Sequence, residues 1–198
     1  MKNFKRLIPM FCVAALTAAC NGAPKDSKEQ ADSVNSKYDS VNNKNTETGG
    51  RALSGADAEF SVNAANGGLT EVELGKLAQQ KAANAQVKAF GAMMVNDHTM
   101  ANMELKELAK SKEITLPDSI GGEEKKLKEQ LEKLSGSAFD AAYVSAMVKD
   151  HQEDIREFED ARKKVKYPEM GELIDKTLPV LRKHLTAIQK IQQQLPSK

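Results

Sequence analysis

The sequence predicts an all-α protein, built as a four-helix bundle with one extra short helix. Residues with high helix propensity, among them Ala, Leu, Glu, Lys, Gln and Met, are abundant in the 198-residue chain. Apolar residues recur every three or four positions over four long segments, and the breaks between these segments are mostly short. Such helices are expected to pack into a bundle, and about 140 residues suffice for one good core.

The charge composition excludes one class of partner. The chain has 29 Lys and Arg against 28 Asp and Glu, so its formal net charge is +1. This balance produces no strong field that would attract the phosphate backbone of nucleic acids. We therefore expect no nucleic-acid partner.

Residues 1–19 have the plan of a bacterial lipoprotein signal peptide. Three basic residues come first, and the apolar stretch 7–16 is too short to span a membrane. Small residues then precede Cys20 and resemble a bacterial lipobox, so Cys20 is predicted to carry the lipid and to begin the mature chain. The alternative is an ordinary signal peptide cut near Ala19, which would leave Cys20 as a free thiol.

A lipid on Cys20 would anchor this protein to a membrane. The sequence does not identify a protein partner. We expect an outer-membrane lipoprotein in a bacterial envelope, facing the periplasm or the surface. The outer membrane is favoured because Asn21 stands where an Asp signals inner-membrane retention in some bacteria. Cys12 is removed with the signal peptide, so disulfides and cysteine catalysis are excluded in the mature form.

Residues 20–56 are predicted to be the lipidated Cys followed by a flexible linker. This stretch is rich in Asn, Ser, Asp, Lys and Gly, and its few apolar residues are scattered. It cannot bury enough apolar surface to offset the entropy lost on ordering. The alternative for its middle is a short helix around residues 29–38, which would leave the role of a tether unchanged.

The bundle is predicted to occupy residues 57–195. Its long helices cover about 57–83, 85–112, 137–164 and 168–194, and a short charged helix covers about 123–134. Asn84 suits the N-cap of the second long helix, and Ser137 with Asp140 forms a capping-box pattern for the third. Pro179 inside the last segment predicts a kink.

An internal repeat relates the second and third long helices. Residues 94–98 and 147–151 both read M-V-x-D-H, and the match extends to Phe90 with Tyr143 and to Glu104 with Glu157. The two helices are therefore expected to be equivalent parts of two related helical hairpins. Bundles of this kind hold ligands between facing helices. Duplication with core packing and no site is the alternative.

Four polar residues on the inward stripes are the candidate metal ligands, one from each long helix: Glu71, His98, His151 and His184. Imidazole and carboxylate together suit Zn²⁺, Cu²⁺, Fe²⁺ or Mn²⁺. Asp154, on the same face as His151, is a further candidate ligand or hydrogen-bond partner. Asp97 and Asp150 point away from their neighbouring histidines and are candidates to orient a histidine on an adjacent helix. The alternative is a hydrogen-bonded core network without metal.

One chemistry is not supported by the spacing. Carboxylate-bridged di-iron bundles carry Glu-x-x-His on two helices. Here Val95, Val148 and Leu181 stand three positions before the histidines. Ferritin-type di-iron oxidation is therefore not expected.

Several motifs together resemble one family of bacterial proteins. They are Phe60-x-x-x-Ala64-Ala65-x-Gly67-Gly68-Leu69-x-Glu71-Val72-Glu73-Leu74-Gly75, Val87-Lys88-x-Phe90, the two M-V-x-D-H words and Leu181-x-x-His184. The family is a domain of unknown function, often labelled a predicted outer-membrane protein. The resemblance covers about residues 57–194 and implies a ferritin-like four-helix bundle behind a signal peptide or lipobox. It implies no established activity, cofactor or metal.

These observations lead to three hypotheses about function. The first is an envelope-anchored lipoprotein with a ferritin-like domain of unknown function that binds a divalent metal in its core and is non-enzymatic or of unproven activity. The second is a metal-dependent redox or stress-protection enzyme. The third is a metal-free structural or partner-binding bundle.

Overall fold

The computed structural model describes residues 24–42 and 54–196. These residues form the helices α1 (Ser27–Asn42), α2 (Gly55–Lys81), α3 (Ala85–Ser111), α4 (Gly122–Glu132), α5 (Gly136–Arg162) and α6 (Pro168–Gln194). Within the two described ranges there is no strand, and no helix is both long and apolar enough to cross a membrane. The all-α prediction is confirmed. The predicted signal peptide and Cys20 lie outside the described residues.

The buried apolar residues form two clusters, one toward each end of the bundle. The first core cluster contains Leu74, Leu77, Ala78, Ala82, Val87, Phe90, Met94, Leu131, Phe139, Tyr143, Val144, Met147, Ile188 and Ile191. The second core cluster contains Ala58, Phe60, Ala65, Leu105, Ala109, Ile114, Ala161, Tyr167, Met170, Leu173, Ile174 and Leu178. Between the two clusters lie the four inward polar residues, which we call the histidine layer: Glu71, His98, His151 and His184.

The order of these residues along the chain gives the direction of each helix. Helices α3 and α5 both run from the first core cluster to the second, whereas α2 and α6 run from the second to the first. The α2–α3 pair meets the α5–α6 pair through contacts of α2 with α5 and of α3 with α6. The chain therefore crosses the length of the bundle between α3 and α5, and α4 lies on this crossover. Ferritin-like folds also have one crossover, but that finer assignment stays a prediction.

Helices α2 and α3 pack very closely at two glycines. A Cβ atom added to Gly75 would lie 2.6 Å from the carbonyl oxygen of Gly91, and one added to Gly91 would lie 2.7 Å from the carbonyl oxygen of Gly75. Neither position has room for a side chain. Gly75 is one turn beyond Glu71 and Gly91 two turns before His98, so this contact brings those two side chains within reach of each other.

Two buried aspartates hold the loops that join the paired helices. Asp140 accepts hydrogen bonds from the backbone N–H groups of Ala83 (3.1 Å) and Asn84 (2.9 Å), in the α2–α3 loop. Asp57 does the same for Lys166 (2.8 Å) and Tyr167 (3.1 Å), before α6. Each carboxylate satisfies two backbone donors that would otherwise lack partners.

The helix boundaries agree with the predicted ones to within a few residues, whereas the predicted capping box is wrong. Helix α5 begins at Gly136 after Ser135, and no side chain caps its first turn. The carboxylate of Asp140 is turned to the α2–α3 loop instead. Asn84 does cap α3, since its side chain accepts from the backbone of Gln86 and Val87. Helix α6 continues through Pro179.

Part of the predicted flexible linker is a helix that packs on the bundle. Helix α1 lies against α2 and buries Ala31 and Asn35. The Asn35 amide donates to the carbonyl oxygen of Thr115 and accepts from its N–H group, both at 2.9 Å. Ser27 donates to Asp118 at 2.8 Å. Polar side chains that satisfy the crossover backbone hold α1 in place, so a count of apolar residues could not reveal the packing.

Candidate metal centre

The histidine layer brings together one side chain from each long helix. Glu71 on α2, His98 on α3, His151 on α5 and His184 on α6 are between 0% and 6% exposed. The ring centroids of the three histidines lie 5.4–6.1 Å apart. The four residues proposed from the sequence as metal ligands therefore converge at one level of the bundle.

Glu71 lies between two of the imidazoles. Its Oε2 is 2.6 Å from Nδ1 of His98, within hydrogen-bond distance. Its Oε1 is 3.2 Å from Nε2 of His151, but this approach is not aligned as a hydrogen bond, and both atoms are buried without a hydrogen-bond partner. Glu71 thus holds the His98 ring with one oxygen and keeps the other oxygen free.

The other two rings are each held through one nitrogen. Nε2 of His184 lies 2.9 Å from Oδ2 of Asp97, which comes from the facing helix α3. Nδ1 of His151 lies 3.0 Å from the backbone carbonyl oxygen of Met147, one turn earlier on the same helix. Because both acceptors lack a proton, these two ring nitrogens are the N–H groups of their rings. The opposite nitrogen of each ring then carries a lone pair.

The remaining ring nitrogens have no hydrogen-bond partner. They are Nε2 of His98, Nε2 of His151 and Nδ1 of His184, all buried. The three histidines each offer a ligand atom, and these atoms lie within 4.8 Å of one another. Three imidazoles around a metal at about 2.0–2.1 Å would have nitrogens about 3.3 Å apart, so the rings need to draw together by up to about 1.5 Å. Orphaned buried nitrogens of this kind are rare without a ligand.

The imidazoles are neutral at physiological pH. Burial lowers the pKa of His98 to about 4 and that of His151 to about 3. Burial also lowers the pKa of His184, although its hydrogen bond to Asp97 acts in the opposite direction. Metal binding requires the unprotonated ring, which is the form this environment favours.

Apolar side chains cover the layer on the side of the first core cluster. The ring of Phe90 meets those of His151 and His184 edge-on, with centroids 6.0 and 6.4 Å away. Met94 and Met147, the first residues of the two M-V-x-D-H words, are fully buried. The repeated word therefore supplies both a histidine and part of its water-excluding cover.

The two aspartates of the repeat have different partners. Asp97 bonds His184, as an orienting residue on an adjacent helix should. The equivalent Asp150 makes no such bond: its Oδ2 is buried and unpartnered, and its carboxyl lies near Glu71 and His151, with ligand atoms within 4.8 Å. Asp150 on α5 lies near Glu71 on α2, as Asp97 on α3 lies near His184 on α6. The half of the layer formed by α2 and α5 is therefore rich in carboxyl groups.

Burial raises the pKa of the carboxyl groups in this half, and Glu71 adds to the effect on its neighbours. Burial, and then the charge of Glu71, raises the pKa of Asp150 to about 8. Burial raises the pKa of Glu71 well above its ordinary value, and burial followed by Glu71 and Asp150 does the same for Asp154. Asp154 is not among the convergent ligands. Its carboxylate faces Gly67 of α2, where an added Cβ would lie 3.7 Å from Oδ1.

Two features of the site were not found from the sequence. One is the division of each ring into a held and a free nitrogen, which depends on residues of other helices. The other is a cavity of about 40 Å³ beside the layer, lined by residues that include Glu71, His98, Asp154 and Glu157. The sequence signal for Glu157 was its pairing with Glu104 in the repeat, which gave no hint that Glu157 is half-buried and Glu104 exposed.

The protein is a four-helix bundle with a buried layer of three histidines and a glutamate in its core. The chain belongs to the family described as "Domain of unknown function (DUF4142)", which matches residues 42–191. The expected membership of a family of unknown function is thereby confirmed. The labels ferritin-like and outer-membrane, which the resemblance implied, stay predictions.

The fold also resembles that of a solved structure described as "CopM in the Cu(II)-bound form". The TM-score is 0.59 and the sequence identity 16%, and the match covers 69% of this chain and 95% of that chain. At this identity the likeness shows the fold alone. None of the curated proteins matches the chain.

Proposed function

We propose that this protein binds a divalent transition-metal ion in its histidine layer. The ligands are Nε2 of His98, Nε2 of His151 and Nδ1 of His184. The observation that carries the proposal is a set of three buried, unpartnered ring nitrogens on histidines that each place a ligand atom within 4.8 Å of the others. The other nitrogen of each ring lies within hydrogen-bond distance of an oxygen. Histidines that bind metals are held in this way, because the second hydrogen bond fixes both the tautomer and the orientation of the ring.

The donor set favours Cu²⁺ and Zn²⁺. Imidazole nitrogens suit both ions, and Cu²⁺ forms the stronger complexes of the two. The solved structure with a similar fold is named for its Cu(II)-bound form, which supports copper as the first ion to test. Glu71 Oε1 lies beside the ring nitrogens and is available as a fourth ligand.

Titration of the metal-stripped protein tests the proposal. Cu²⁺ should bind with an electron paramagnetic resonance spectrum that shows coupling to nitrogen, and chelation should reverse the binding. At a free ion concentration of about 100 times the dissociation constant, we expect stabilisation by about 2.7 kcal/mol, or a rise in Tm of about 5–10 °C. The same titration with Zn²⁺, read by thermal shift, ranks the two ions.

Substitution of single histidines provides the control. His184→Gln should weaken Cu²⁺ binding, change the nitrogen coupling and reduce the thermal shift, because two of the three imidazoles remain and the amide keeps a polar group in place. Met103→Leu removes a thioether that is 65% exposed on α3 and should change none of these. Equal Cu²⁺ affinity in His184→Gln and the unsubstituted protein would contradict the proposal and leave a metal-free hydrogen-bonded layer.

We further propose that Cys20 anchors this domain to a bacterial envelope membrane through a lipid. The support is the order of basic, apolar and small residues before Cys20. The domain would then hold its metal outside the cytoplasm.

A further inference from the structure

The cavity beside the histidine layer differs from the rest of the core in its polar wall. It lies between the layer and the second core cluster and has a volume of about 40 Å³. A volume of this size holds on the order of two or three water molecules. Its oxygen-bearing side chains are Asn63, Glu71, Asn102, Asp154, Glu157 and Thr177, and no Lys or Arg is among the described residues that line it.

Three residues that line this cavity each have a buried polar atom without a hydrogen-bond partner. Glu71 is 1% exposed and its Oε1 has no hydrogen-bond partner; His98 is 6% exposed and its Nε2 has none. Oε1 of Glu157 is also buried without a partner. Glu157 hydrogen-bonds the amide of Asn63 across the α2–α5 contact. Burial raises the pKa of Glu157, while the Asn63 hydrogen bond and the charge of Lys28 act in the opposite direction. Buried carboxyl groups are costly unless a cation or protons neutralise them.

Asn63 also lies on the outer surface. It lines a groove of about 550 Å³ between α1 and α2, whose charged residues are Lys28, Asp32 and Glu59. The inner cavity and the outer groove therefore share one residue, whose side chain bonds Glu157. Polar side chains therefore extend from the solvent-facing groove, through Asn63 and Glu157, to Asp154 and the histidine layer.

We propose that the cavity is a second cation-binding position, in which Asp154, Glu157 and Asn63 hold a partly hydrated divalent cation on its way to the histidine layer. The cavity alone supports the cation-binding position. The transfer of the cation to the histidine layer rests on the proposed function of that layer. Oxygen ligands and retained water suit a hard or borderline ion in transit, and nitrogen ligands then take it more tightly. Glu71, which contacts both regions, lies where the ion changes ligands.

Two measurements test this inference with the full-length protein. The first is Mn²⁺ binding, followed by electron paramagnetic resonance, because Mn²⁺ prefers oxygen ligands. The second is the rate at which Cu²⁺ enters the histidine layer, followed by stopped-flow absorption. The test variant is Asp154→Asn with Glu157→Gln, which keeps the shape of both side chains. The control is Glu153→Gln, on the exposed face of α5.

The test variant should lose Mn²⁺ affinity by about tenfold or more and should load Cu²⁺ more slowly by a similar factor, with the final amount of bound Cu²⁺ unchanged. The control should match the unsubstituted protein in both. Equal Mn²⁺ affinity and equal Cu²⁺ loading in the test variant and the control would overturn the inference and leave the histidine layer intact. The unsubstituted protein could bind Mn²⁺ but no Cu²⁺ at its histidines, while the test variant loses the Mn²⁺ binding. That result would support the cavity site and refute the proposed function.

Discussion

Removal of the Asp97 carboxylate should weaken the metal site without touching a metal ligand. In the structure Asp97 Oδ2 accepts from Nε2 of His184, a residue with no exposed surface. Asp97→Ala leaves this N–H group buried without an acceptor, because no other described residue bonds it. The ring then loses the contact that fixes the direction of Nδ1.

The expected magnitudes follow from this loss. An orphaned buried donor costs about 1–3 kcal/mol, so the metal-free protein should melt roughly 2–12 °C lower. Loss of an orienting partner lowers metal affinity about 10–100-fold, or about 1.4–2.7 kcal/mol. Asp97→Asn keeps an oxygen acceptor at the same position and should fall between Asp97→Ala and the unsubstituted protein in both measurements.

The assay is competition for Cu²⁺ against a chelator of known affinity, with thermal unfolding of the metal-free protein measured in parallel. Asp160→Ala, at an exposed site on α5, is the control for loss of a carboxylate. If Asp97→Ala matches the control in both affinity and Tm, then the Asp97–His184 contact does not orient the ring. A loss of Tm alone, with affinity unchanged, would show that the bond stabilises the fold but not the site.

Three further outcomes are expected from other parts of the chain. Asp57→Ala should lower the free energy of unfolding, measured by chemical denaturation, by about 2–4 kcal/mol, because two backbone N–H groups lose their acceptor. The control Asp160→Ala should change it by less than about 0.5 kcal/mol. Asn35→Ala should cost about 1–2 kcal/mol and speed proteolysis within α1, since the two hydrogen bonds to the crossover are lost; an unchanged cleavage rate would mean that α1 is held by other contacts. Cys20→Ala should move the protein from the membrane fraction to the soluble fraction on cell fractionation, and a variant that stays in the membrane fraction would refute the lipid anchor.

The helices and the level of the site could be predicted because both depend on spacing along the chain. Apolar residues at helical intervals fix which face of a helix is buried, and each histidine falls on such a face. The structure accordingly gathers Glu71, His98, His151 and His184. The role of each atom could not be predicted, because it depends on partners from other helices. Glu71 bonds a histidine ring through one oxygen, which no spacing within α2 could show.

Polar contacts between distant segments account for the other differences. Asp140 fits a local capping box, yet its carboxylate serves a loop more than fifty residues earlier in the chain. Residues 27–42 have few apolar side chains, and Val34 and Tyr38 are exposed, whereas Asn35 is buried and pairs with the backbone at Thr115. In both cases a tertiary hydrogen bond decides the structure, and sequence patterns carry no signal for it.

The position of the histidine layer also settles how the helices align along the bundle axis. Each core cluster is built from aliphatic and aromatic side chains that tolerate exchange, so a helix shifted by two turns would still bury apolar surface at both ends. In a shifted alignment, however, the carboxyl of Glu71 and the ring of His184 would lie against leucine and isoleucine with no acceptor or donor nearby. The polar residues in the middle therefore make sliding of one helix past another unfavourable and select a single alignment, as a buried polar residue does in a coiled coil.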